Sequence, residues 1–236
     1  MRHALIFAAG LGDRMRPLTT HTPKPLLEAG GKPLIVWHLE KLAALGVHYV
    51  VINTSHLADR FPESLGDGAR WGLRIRYAYE GPTPLETGGG MLNALPLLGP
   101  EPFLAIAGDV WTDAGYDRLP AEPEGDAHLL MVDNPAHHPG GDFTLDAGGL
   151  LHAGGEPRLT YAGIGVFRPA FVDRWTDAVG TAQATAPARF RLRPLLEHAM
   201  REGRVHGTRH AGAWTDVGTP QRLAELDRML REMAAS

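Results

Sequence analysis

A short apolar run that stops at a glycine turn, with basic residues close behind, constrains this chain more than any other stretch. Ala4-Leu5-Ile6-Phe7-Ala8-Ala9 has the length and composition of a buried strand. Gly10-Leu11-Gly12 follows at once, and glycines there permit a tight turn and let backbone N–H groups approach a ligand. Asp13, Arg14 and Arg16 come next, then Lys24 between Pro23 and Pro25. One loop after a strand thus offers exposed amides, two guanidiniums and a lysine, a set suited to gripping a polyphosphate. Two other phosphate loops are excluded. A dinucleotide fingerprint would need glycine where Met15 stands, and no Gly-Lys-Ser or Gly-Lys-Thr occurs.

Beyond this loop, residues 33–45 read as a helix and Tyr49 to Asn53 as a buried strand. A helix around 57–65, a strand over 73–79, a helix entered at Gly88-Gly89-Gly90 and a strand over 103–107 continue the alternation. That order predicts an α/β fold, a Rossmann-like mostly parallel sheet with helices on both faces and ligands at the C-terminal strand ends. From Asp113 the texture changes: strands over 127–132 and 159–167 flank a hairpin built from 143–145 and 150–152. This section reads as a small β-rich flap inserted over the sheet. Residues 180–187 form a small-residue loop expected to be mobile. A helix over 192–201 and one last strand, from Val205 to Gly218, precede a helix capped by Thr219, with Leu223, Leu226, Leu230 and Met233 on one face. The expectation is one domain, with a nucleotide-binding part over 1–112, the insertion over 113–190 and closing elements over 191–236.

The formal net charge of −4 does not indicate a nucleic-acid surface, and the absence of cysteine rules out disulfides and thiolate metal sites. No apolar run reaches the ~20 residues that span a membrane, and the start lacks the long apolar region of a signal peptide. The expected location is cytoplasmic and the expected partners are small molecules. The twelve histidines contain no H-E-x-x-H and read as surface residues; Met15 and Trp37 read as packing residues.

Asp109 stands where an apolar strand ends in Gly108-Asp109, so its carboxylate points into the crevice of such a sheet. Asp216 in W-T-D-V-G-T holds a similar position far along the chain. Two carboxylates with substrate phosphates make a hard-oxygen site for Mg²⁺.

The pattern G-x-G-x-R-M-x-P-L-T followed by P-K-P-L resembles the sugar nucleotidyltransferases, which join a nucleoside triphosphate to a sugar 1-phosphate and release pyrophosphate. The resemblance implies Asp109 and Asp216 as the metal-binding aspartates, and Arg14, Lys24 and Asp109 as the catalytic set. Lys24 would reach the α-phosphate and Arg14 the leaving phosphates, while Arg16 helps or forms a salt bridge. Ala9, Gly10, Leu11, Gly12, Asp13, Arg14, Lys24 and Gly108 would line the phosphates, with Asn53, Glu80, Glu86 and Thr87 toward the base. Leu85-Glu86-Thr87-Gly88 stands where relatives carry Leu-Gly-Thr-Ala-Gly, so Glu86 departs from the family glycine. Trp111 as a floor, Asp142, Gly163 and Arg191 would form the sugar end. The segments GDVWTD and VDNPAHHPGGDF imply UTP and N-acetylmuramate 1-phosphate as substrates, in cell-wall recycling. The alternatives are mannose- or glucose-1-phosphate nucleotidyl transfer and, in a different class, a non-catalytic sugar-nucleotide sensor. Oligomeric state is not read from the sequence.

Overall fold

A computed structural model describes residues 2–180 and 187–235. The first half runs β1 (His3–Phe7), a hairpin of β2 (Glu28–Ala29) and β3 (Lys32–Pro33), α1 (Leu34–Ala44), β4 (Tyr49–Thr54), α2 (Arg60–Leu65), β5 (Arg74–Tyr79), α3 (Glu86–Leu98) and β6 (Phe103–Ala107). The second runs β7 (Val110–Thr112), β8 (Ala127–Val132), β9 (Thr144–Leu145), β10 (Leu151–His152), β11 (Thr160–Phe167), α4 (Pro169–Asp173), α5 (Trp175–Val179), α6 (Leu192–Arg201), β12 (Val205–His210), β13 (Trp214–Asp216) and α7 (Pro220–Ala235). Among the described residues no helix is long and apolar enough to cross a membrane.

Seven strands form one sheet in the order β12-β8-β11-β6-β1-β4-β5. All run parallel except β11, which is antiparallel to both β6 and β8. Strand residues alternate between two cores. Ala4, Ile6, Val50, Ile52, Leu104 and Ile106 face α1 and α2, which supply Leu39, Leu42 and Phe61. Leu5, Val51, Phe103 and Ala105 face α3, α4 and α6, which supply Met91, Phe171 and Leu195. Burial on both faces explains why these strands read as unbroken apolar runs.

The segment expected to be a flap is built differently. Its strands β8 and β11 belong to the main sheet, and only the hairpin β9–β10 lies outside it. Both long strands bury side chains on both faces, which a flap over the sheet could not do. The expected single last strand is two: β12 pairs with β8, while β13 leaves the sheet to pair with β7. Most of the loop expected over 180–187 lies outside the described residues. A third apolar cluster joins Met15, Trp111 and Val217 to Leu226 and Leu230 of α7, whereas Met233 is exposed. Thr219 Oγ1 accepts from the Arg222 amide at 3.3 Å, the cap its sequence foreshadows.

Candidate active site

Because β8 runs parallel to β6 and β11 against both, the loops after β1, β6 and β8 and the start of β11 share one edge of the sheet. After β1 the chain is fixed by its neighbours. The Ala8 amide donates to Asn53 Oδ1 at 2.6 Å, Asn53 Nδ2 donates to Glu80 Oε1 at 2.5 Å, and the Leu85 amide donates to Glu80 Oε2 at 2.7 Å. Burial raises the Glu80 carboxyl pKa, and these two hydrogen bonds pull it back. Asn53 and Glu80 thus tie together the ends of β1, β4 and the entry to α3. Gly90 makes room for them, since a Cβ there would lie 2.3 Å from Glu80 Oε1. Gly88 and Gly89 likewise admit the 188–191 segment, with Phe190 ring carbons 2.5 Å from a Cβ at Gly88. The glycine run serves close packing. The amides of Gly10, Leu11 and Gly12 donate to no protein acceptor among the described residues, as an anion cradle requires.

Every expected nucleotide residue except Gly108 lines one cavity of about 670 Å³. Gly108 instead lets β6 close on β1: its amide donates to Phe7 O at 2.9 Å, and a Cβ would meet that oxygen at 2.8 Å. Lys24 forms an ion pair with Asp109, and both line this cavity. Arg16 pairs with Asp13 at 2.8 Å. Arg14 is exposed and has no ion pair among the described residues.

The β7–β13 ribbon brings the Asp216 backbone beside Asp109, while its side chain lines the neighbouring cavity. Asp216 sits opposite Val110, and the Val217 amide donates to Asp109 O at 2.8 Å. Its carboxylate accepts from Arg222 Nη1 at 2.5 Å and lies 2.7 Å from His137 Nε2. Gly218 admits that arginine, since a Cβ would stand 2.0 Å from Arg222 Nη2. Among the described residues no three His, Cys, Asp or Glu side chains gather as a complete metal cage. Two carboxylates completed by phosphate oxygens and water fit Mg²⁺, which seldom uses an all-protein cage. Behind the ribbon, buried His38 donates from Nε2 to Val110 O at 2.8 Å and accepts at Nδ1 from the Tyr116 hydroxyl at 2.5 Å. Burial pushes the His38 pKa down to about 4.

A second cavity of about 420 Å³ lies alongside, walled by Arg14, His137, His138, Tyr161, Trp214 and Asp216, with Gly163 also on its lining. Gly163 has φ +73° within the register shift of β11, a backbone that only glycine adopts easily. The other residues expected at the sugar end do not line this cavity, although Asp142 lies 3.4 Å from His138 on its lining. Asp142 holds the Tyr161 amide at 3.0 Å and Arg193 at 3.1 Å. Trp111 is buried, edge-on to Trp37 at 6.4 Å, because β7 turns it into the third core cluster. Arg191 lines neither cavity and lies 3.8 Å from Glu86, whereas Arg189 lines the larger one. His137 and His138 on the lining of the second cavity, and Arg222 against Asp216, were not expected at the site. Pro135 and Pro139 around the paired histidines were the one local sign of a stiffened loop.

Known proteins bear on this geometry. The profile of the family described as "Nucleotidyl transferase" matches residues 3–133. The N-acetylmuramate alpha-1-phosphate uridylyltransferase of Neisseria meningitidis is 44% identical over 96% of this chain and 97% of its own. The protein of the same name from Caulobacter vibrioides is 35% identical over 97% of each. A crystal structure of a Bacillus anthracis protein in complex with a sucrose superposes with TM-score 0.83 over 98% of this chain and 96% of its own, at 19% identity. The chain belongs to the nucleotidyl transferase family and is a nucleotidyltransferase acting on a sugar 1-phosphate.

Proposed function

We propose that the chain transfers the uridylyl group of UTP to N-acetylmuramate 1-phosphate, releasing pyrophosphate, in cytoplasmic cell-wall recycling. The observation that carries this reading is the likeness to two uridylyltransferases of that name over nearly the full length of all three chains. The cavities support it. The larger one offers unpaired amides, Arg14 and Lys24 to a triphosphate. The second offers Arg14, His137 and His138 to an acceptor that bears a carboxylate. A phosphate oxygen of the sugar attacks the α-phosphorus in line, the bond to the β-phosphate oxygen breaks, and pyrophosphate carries away the negative charge. The chain forms no covalent intermediate; it orients two anions and offsets their repulsion. Lys24 covers the α-phosphate and Arg14 the leaving phosphates. Asp109 and Asp216 would hold Mg²⁺, which when bound neutralises phosphate charge. Pyrophosphate release from four nucleoside triphosphates, each paired with N-acetylmuramate, mannose, glucose and N-acetylglucosamine 1-phosphates, tests the reading. UTP with N-acetylmuramate 1-phosphate should turn over best. Turnover of GTP with mannose 1-phosphate, and none of the expected pair, would overturn both substrate choices and leave nucleotidyl transfer standing.

A further inference from the structure

Glu86 is one of two non-glycine residues among those described with a positive φ, at +64°, in the first position of α3. That backbone is strained for an L-residue, and such strain persists where the surroundings over-determine it, often at ligand clamps. The surroundings do so here. The Phe190 amide donates to Leu85 O at 3.2 Å, the Gly88 and Gly89 amides both donate to Phe190 O at 3.0 Å, and the Leu192 amide donates to Thr87 Oγ1 at 3.2 Å. Phe190 is stacked on Trp175 at 4.7 Å. The segment is thereby strapped across the start of α3. Arg189 donates from Nε to Pro84 O at 3.1 Å and from Nη2 to Glu86 Oε1 at 3.2 Å. Two of its five N–H groups are used and three are free; the carboxylate keeps lone pairs to spare. Both side chains line the larger cavity, with Thr83 and Pro84 of the loop that follows β5.

We propose that Glu86 and Arg189 read the base of the bound nucleotide, selecting a ring N–H beside a carbonyl. The carboxylate accepts from the N–H and the guanidinium donates to the carbonyl. Uracil, thymine and guanine present that edge; cytosine and adenine present an amino group beside an unprotonated ring nitrogen and would set donor against donor and acceptor against acceptor. This rests on a nucleotide occupying the larger cavity and is independent of the acceptor sugar.

The test is equilibrium binding of UTP, GTP, CTP and ATP to the full chain with Mg²⁺ and no sugar phosphate, beside the melting temperature of each variant. The wild-type chain should bind UTP more tightly than CTP by on the order of ten- to a hundredfold. Glu86→Gln, which can donate to a ring nitrogen, should bring that ratio close to one. Arg189→Lys, which keeps the charge and loses the fork, should lower it as well. Arg14→Ala should weaken all four nucleotides alike and leave the ratio intact. Equal wild-type affinities for UTP and CTP, or a UTP-to-CTP ratio unchanged in both Glu86→Gln and Arg189→Lys with folding intact, would overturn the proposal. Binding with an unaltered ratio sinks the base reading alone, whereas no binding of any nucleotide also removes the assignment of the cavity.

Discussion

Lys24 sits in a stiff place. Prolines flank it, its side chain is mostly shielded from solvent, and it ends on Asp109 at the cavity wall. Truncation leaves a partly exposed aspartate rather than a buried orphan charge, so the fold has little to lose. Lys24→Ala should melt within a few degrees of wild type while kcat/KM for nucleotidyl transfer falls on the order of a hundred- to a thousandfold. An unchanged kcat/KM would remove Lys24 from the reaction. This residue was legible because glycine turn, arginines and proline-flanked lysine are contiguous, and chain proximity alone brings them to one strand end. Trp111 and Arg191 were not. Whether a side chain on a short strand faces a ligand or a core depends on pairing, and Trp111 follows the side of β7 that meets α7. Arg191 alternates with Arg189 along an extended segment, so one step in register decides which of them reaches the cavity.

Among the elements, α1 is the strut behind the β7–β13 ribbon, and it carries a buried histidine whose pKa is lowered. Neutral His38 bridges the Tyr116 hydroxyl and the Val110 carbonyl, one residue beyond Asp109. An unfolded histidine titrates near 6.5 and buried His38 near 4, so between those values the unfolded chain binds the extra proton. The contribution of His38 to stability is therefore full above pH 6.5, falls as pH drops toward 4, and amounts to a loss of at most about 3 kcal/mol. Denaturant midpoints of the wild-type chain should decline through that window, and those of His38→Gln should decline less. Parallel slopes for the two proteins would show that His38 is not the titrating group. The main-sheet strands and the long helices of the parallel half were legible, where buried runs and helix periods alternate, whereas the short strands β2, β3 and β7 were not. The place of β11 was not, since an apolar strand of that length reads the same in a flap as in a sheet, and only its antiparallel seat between β6 and β8 decides. The split of the last strand also lay beyond local pattern, because β13 is defined by its partner β7.

At the scale of the whole molecule, four parallel strands carry the larger cavity, and the β11-β8-β12 side carries much of the second. His137 and Arg222 meet Asp216 across separations of 79 and 6 residues respectively, so the sequence could show the aspartate and not its companions. Arg14 is the one side chain on the lining of both cavities, and it is held by no ion pair among the described residues. A single unanchored cation common to the two chambers proposed for nucleotide and acceptor would make their occupancies a linked equilibrium. Whatever the first ligand does to the affinity of the second, the second does by the same factor to the first. Calorimetric titration of a UTP analogue with a methylene in place of the α,β-bridging oxygen, with and without N-acetylmuramate 1-phosphate, should give one coupling factor whichever ligand is added first. In Arg14→Ala that factor should shrink toward unity; if it persists undiminished, the linkage runs through another part of the protein. The loop that grips the triphosphate would then also be the means by which the enzyme senses that its acceptor has arrived.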